Sequence, residues 1–126
     1  MGTNWERSGP SSGPVVTGFS GTGFKVDGEV YEGGVTLTPH AAAAWDAPVA
    51  SAITPADVAP LLALQPPPEF LLLGTGASLA RPPRAFTSAL EERGIGVEPM
   101  DSRAAARAWA VLRAEDRWIA AALMPL

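Results

Sequence analysis

Phe70-Leu71-Leu72-Leu73-Gly74-Thr75-Gly76 places four large apolar side chains in a row and stops them at a glycine-flanked threonine. Successive side chains on a strand point to opposite faces, so an uninterrupted apolar run needs cover on both. This pattern predicts a central parallel strand between layers, ended by a tight glycine turn. The downstream sequence agrees. Pro82-Pro83 opens a helix whose inward stripe is Phe86, Ala89 and Leu90, and Gly94 closes it. Residues 95–98 read as a short strand. Asp101 or Ser102 caps an alanine-rich helix to about Ala114, with Ala105, Ala108, Trp109 and Leu112 on one face. Residues 118–123 form a last apolar strand.

Upstream, Pro66-Pro67-Pro68 terminates a helix that begins at Thr54-Pro55-Ala56-Asp57, where Thr caps and Asp favours the positive end of the dipole. Pro60 would break that helix unless its first turn lies near Asp57, which is the preferred placement. Further back, Asp27-Gly28 is the strongest hairpin signal in the chain. Residues 19–26, flanked and interrupted by Gly18, Gly21 and Gly23, read as one weak strand. Gly33-Gly34 suggests a bulge or bend before the alternating Val35-Thr36-Leu37-Thr38. The expected fold class is α/β: a layered single domain with a mixed central sheet, a β-rich N-terminal third (residues 17–53, with a hairpin), then alternating helix and strand. Residues 1–14 read as a flexible polar leader and residues 15–126 as the domain.

Composition narrows the function classes. At 126 residues with 47% hydrophobic content, one domain with a real core is expected. The absence of cysteine removes disulfides, thiolate metal sites and a cysteine nucleophile. Net charge is −4, and residues 1–62 carry two bases against six acids while residues 63–126 balance at seven each. No basic stripe exists to track phosphates, so nucleic acid is not an expected partner. No apolar run reaches the roughly 18–20 residues that span a bilayer, and the leader lacks a signal-like apolar core, so a cytoplasmic protein without membrane insertion is expected. One lysine against eight arginines, with abundant alanine, suggests a GC-rich bacterial genome.

Chemistry would collect at the carboxyl ends of the parallel strands, where open α/β sheets bind ligands. If the strands at 70–73 and 95–98 are neighbours, residues 74–76 and 100–103 lie side by side. The candidate ligand- or partner-binding residues are therefore Gly74, Thr75, Gly76, Arg84, Asp101, Arg103 and Arg107, with Arg81 nearby. The arginines could form an anion-attracting corner or a solvated rim; the glycines could cradle an anion or only permit the turn. The dinucleotide fingerprint fails because Leu79 stands where a third glycine belongs, and no phosphate-loop ending follows. Ser78 lies too far past the strand for a nucleophile elbow, and the sole histidine, His40, precedes it beside Pro39. No catalytic constellation, metal site or cofactor is predicted. Trp109 reads as core, and Trp45 as core or as an exposed contact.

Several segments in order carry a resemblance: Phe24-Lys25-Val26-Asp27-Gly28 with Gly33-Gly34-Val35, Ile53-Thr54-Pro55, Leu71-Leu72-Leu73-Gly74-Thr75-Gly76 followed by Pro82-Pro83, and Gly94-Ile95-Gly96-Val97-Glu98-Pro99-Met100-Asp101. Over residues 17–123 the chain resembles the family of small domains of unknown function that includes the mitochondrial complex I assembly factor 3. The resemblance implies a mixed-sheet α/β domain. It also implies a role, in eukaryotic relatives, in building respiratory NADH dehydrogenase through protein contacts; bacterial relatives have no established biochemical activity. After Met-Asp the family shows Thr-Gly, two alanines, often Cys, then Arg-Thr-Tyr-Asn. Here Ser102-Arg103-Ala104-Ala105-Ala106 precedes Arg107-Ala108-Trp109-Ala110, so Arg107 persists while the small polar groups and the thiol do not. That departure favours binding over catalysis. The first reading is a non-enzymatic interaction or assembly module, whose partner by resemblance belongs to a respiratory or membrane-protein complex. The alternative is a site for an anionic or phosphorylated small molecule, or a weak enzyme, at the same edge.

Overall fold

The computed structural model describes residues 13–126, so residues 1–12 of the expected leader lie outside the described residues. Pro14, placed in that leader by its sequence, is buried, and its carbonyl accepts the indole N–H of Trp109 at 2.8 Å. In chain order come β1 (Val16–Ser20), β2 (Gly23–Val26), β3 (Glu29–Tyr31), β4 (Val35–Leu37) and β5 (Ala42–Ala44). Two 3-10 turns (Ala50–Ala52 and Pro55–Val58) lead into α1 (Ala59–Leu62). Then follow β6 (Phe70–Gly74), α2 (Arg84–Glu91), β7 (Gly96–Met100), α3 (Ser102–Ala114) and β8 (Ala120–Leu123). The fold is mixed α/β, with β1-β2-β3 as an antiparallel sheet and a five-stranded sheet ordered β5-β4-β8-β6-β7. β6 runs parallel to both β7 and β8, while β4 runs antiparallel to β8 and β5.

Strand period explains why the apolar runs are continuous. Leu71, Leu73, Ala120 and Ala122 face one core with Phe86 and Leu90 of α2 and with Trp45, Val58 and Leu61. Leu72, Ala121 and Leu123 face the other with Ala105, Ala106 and Trp109 of α3 and with Phe24 and Val26 of the small sheet. Both β6 and β8 are thus covered on both faces, which lets three consecutive alanines of modest β propensity stand in a central strand.

The local signals resolve as follows. Asp27 and Gly28 both have positive φ (51° and 87°), the pairing a tight hairpin turn requires. The weak strand expected over 19–26 is two strands, because Gly21 (φ 60°) turns the chain between β1 and β2. Gly34 (φ 123°) forms the bend from the small sheet into β4. Asp57 Oδ2 accepts the Thr54 amide at 2.8 Å, and the α-helix begins only at Ala59, so Pro60 sits in its first turn. Pro99 lies inside a strand because β7 is at the sheet edge, where a missing N–H costs no ladder bond.

Candidate functional site

Residues 74–76 and 100–103 do lie side by side. Leu71 pairs with Val97 and Gly74 with Met100, and the turn beyond continues the pairing: the Thr75 amide donates to Met100 O at 2.8 Å, and the Ser102 amide to Gly76 O at 2.8 Å. Ser102 closes the junction. Fully buried, its Oγ accepts the Gly76 amide at 2.9 Å and donates to Met124 O at 2.7 Å, tying the ends of β6, α3 and β8 together. Gly74 is glycine for a steric reason. A Cβ there would lie 2.6 Å from Ser102 Oγ and 2.9 Å from Ser102 Cα. Thr75 organises the loop after it, since its Oγ1 donates to Ser78 O at 2.8 Å and accepts the Ala80 amide at 2.9 Å. Asp101 caps α3, with Oδ1 accepting the Ala104 amide at 2.8 Å.

This geometry determines what the turn can offer. The Thr75 and Gly76 amides, the donors an anion cradle would use, are already bonded within the fold. The arginines do not converge either. Arg84 opens α2 on one face of the sheet, in a groove with Arg81, Glu91, Val97 and Pro99. Arg103 and Arg107 lie on α3, on the other face. The Arg103 guanidinium stands 5.3 Å from the Phe19 ring centroid, and Arg107 lines a shallow cleft with Val16, Thr17 and Phe19. Gly74, Thr75, Gly76 and Asp101 therefore form one junction, with Arg84 to one side and Arg103 and Arg107 to the other.

Beside the junction runs a groove of about 420 Å³ between residues 47–51 and 75–81, floored by Met124 and Pro125. Its lining is mostly small and apolar: Ala47, Pro48, Val49, Ala50 and Ala80, with Arg81 at the rim. Val49 is 69% exposed, and Leu79, in the neighbouring loop, is 57% exposed. Residues 47–51, Met124 and Pro125 were not singled out by sequence. They reach the edge through long-range pairing of β4 with β8, for which no local motif exists. Trp45, left open between core and contact, is core, with its indole N–H donating to Asp57 O at 2.9 Å. His40 is exposed, edge-on to Trp118 at 5.4 Å.

At the amino end of the parallel strands, Arg117 donates to Glu69 Oε1 from Nη2 at 2.7 Å and from Nε at 3.1 Å. Those bonds hold the Glu69 carboxyl below its ordinary range and raise Arg117 above its own. Among the described residues no group of three or more His, Asp or Glu could hold a metal ion. No helix among them is long and apolar enough to cross a membrane.

The same architecture occurs in known proteins. A crystal structure from Bordetella parapertussis superposes with a TM-score of 0.82 at 30% identity, covering 90% of this chain and 97% of that one. An uncharacterized protein of Rhodobacter capsulatus is 34% identical over 111 residues, covering 88% of this chain and 84% of the relative. The NADH dehydrogenase [ubiquinone] 1 alpha subcomplex assembly factor 3 of Danio rerio is 34% identical over 115 residues. The match spans 91% of this chain but 66% of the assembly factor. The family model for proteins of unknown function DUF498/DUF598 matches residues 16–124, nearly the whole described domain. With that match over the domain and a relative covered across most of its length, the chain belongs to the DUF498/DUF598 family.

Proposed function

We propose that this protein is a non-enzymatic interaction module that assists assembly of a respiratory or other membrane-bound complex from the cytoplasmic side. The carboxyl edge of the sheet is its contact surface. The observation that carries this reading is the character of that edge. Where an α/β enzyme would converge donors and titratable groups, this one engages the Thr75, Gly76 and Ser102 amides internally and borders them with an apolar groove. The exposed side chains of Val49 and Leu79 suit a protein surface better than a small polar substrate. Similarity to complex I assembly factor 3 supplies the class of partner.

The test is cross-linking followed by capture in the native host, comparing the unaltered protein with Val49→Asp and Leu79→Asp. Recovery of respiratory-complex subunits with the unaltered chain, lost in both variants at unchanged thermal stability, is the expected result. Recovery of nothing but further copies of the same chain would remove the proposal.

A further inference from the structure

Among the described residues the five-stranded sheet ends at β7, whose outer edge carries no strand. Two bonds at the ends of its ladder with β6 show which groups face inward: the Gly96 amide donates to Glu69 O at 3.3 Å, and Met100 O accepts the Thr75 amide at 2.8 Å. Backbone groups in a parallel ladder alternate sides, so Gly96, Glu98 and Met100 address β6 while Val97 and Pro99 address the open side. That side presents the N–H and C=O of Val97 and the C=O of Pro99. Alongside runs a groove of about 560 Å³ between β7 and α2, with Arg81, Arg84, Thr87 and Glu91 on its wall. Arg81 and Arg84 are exposed and make no ion pair among the described residues.

We infer that β7 accepts an extended acidic segment of a partner protein as an added strand, its carboxylates held by Arg81 and Arg84. The inference rests on the interaction reading above and names a second surface for it. Strand addition supplies main-chain bonds, and alternate side chains supply specificity. Here the ladder is short, because Pro99 has no N–H and the Ile95 amide is already bonded to Leu90 O at 3.0 Å. Val97 is the one residue that both donates and accepts outward, so the arginine fork must carry recognition. Guanidinium groups match carboxylates in geometry as well as charge. The same features disfavour a second copy on this edge. An antiparallel β7–β7 pair centred on Val97 would set Pro99, which has no N–H, opposite Ile95, whose amide is engaged, and so leave almost no ladder bonds.

The experiment titrates the isotope-labelled full chain with a short acetylated peptide alternating Val and Glu, and with the same peptide carrying Lys for Glu. The acidic peptide is expected to shift the Val97, Glu98 and Arg84 amide signals, and the Lys peptide to leave them unmoved. Replacing both Arg81 and Arg84 by Ala weakens binding roughly tenfold, the scale of two partly exposed ion pairs. Val97→Pro removes the outward donor while leaving the bonds to β6; it abolishes binding, with a thermal melt confirming the fold. No shift at millimolar peptide, equal binding of the Lys peptide, or shifts confined to the Val49 groove would each overturn the inference. The two readings fail separately. Failure of the acidic peptide to bind while respiratory subunits are still captured sinks this surface and spares the module, whereas peptide binding without such capture does the reverse.

Discussion

Ser102 Oγ stands between two backbone groups that follow different strands, accepting from Gly76 N at 2.9 Å and donating to Met124 O at 2.7 Å. One hydroxyl thus joins the turn after β6 to the end of β8 in a fully buried position. Ser102→Ala leaves both groups without a partner where water does not reach. A cost of about 1–3 kcal/mol per buried orphan is expected. Denaturant unfolding should show a lower midpoint with an unchanged slope. A midpoint equal to that of the unaltered chain would mean that the hydroxyl does not bind the junction together.

Gly74 and Ser102 are in steric contact, so their substitutions should not add. Gly74→Ala places a Cβ 2.6 Å from Ser102 Oγ, 2.9 Å from Ser102 Cα and 3.0 Å from Leu123 Cδ2. Overpacking of this kind costs about 1–3 kcal/mol. Removing Oγ relieves the closest of these approaches, so the double variant should lose less stability than the two single losses combined. The sum recovered in full would show that α3 shifts away from Gly74 without regard to the serine.

How much of this was legible beforehand follows from the range of each interaction. The apolar run at Leu71, Leu72 and Leu73 announces a strand covered on both faces, and the neighbouring strand places Gly74 beside Met100. Local chemistry also reveals the Asp27-Gly28 turn and narrows the cap of α3 to Asp101 or Ser102, of which the structure has Asp101. The sides taken by the arginines are a different matter. Arg84 and Arg103 are both close to the edge in sequence, but their helices cover opposite faces of the sheet, a consequence of the right-handed crossover and not of any motif. The strand at Ala42–Ala44 is hidden for a related reason. Alanine is a poor strand former, and its state is decided by pairing with β4.

Trp109 is fully buried and bonds the carbonyl of Pro14 at 2.8 Å, fastening the segment that leads into β1 onto α3. Trp109→Phe keeps an aromatic ring in place but deletes that donor. The expected result is a loss of about 1–3 kcal/mol from the stranded carbonyl, with a further contribution from the smaller ring. Hydrogen exchange should quicken first in Val16–Ser20, before the five-stranded sheet responds. Uniform acceleration across both sheets would mean that the indole holds the whole core and not the entry to the small sheet.

The Glu69–Arg117 pair gives stability a defined acid dependence. Hydrogen bonds from Arg117 lower the Glu69 carboxyl from its usual 4.5, so the folded state favours the ionised form. A carboxyl depressed on folding contributes stability that is complete above its unfolded value and is lost as pH falls through the folded one. The raised Arg117 remains protonated throughout that range and adds no slope of its own. At neutral pH the unaltered protein should therefore be more stable than Glu69→Gln, with the gap closing as pH drops below 4.5. Both side chains are partly exposed (40% for Arg117 and 46% for Glu69), so added salt should narrow the neutral-pH gap. A gap of constant size from neutral to strongly acid solution would assign the effect of Glu69→Gln to the Trp118 amide that Glu69 also accepts at 3.3 Å, since an uncharged amide oxygen and a protonated carboxyl would differ there only in geometry.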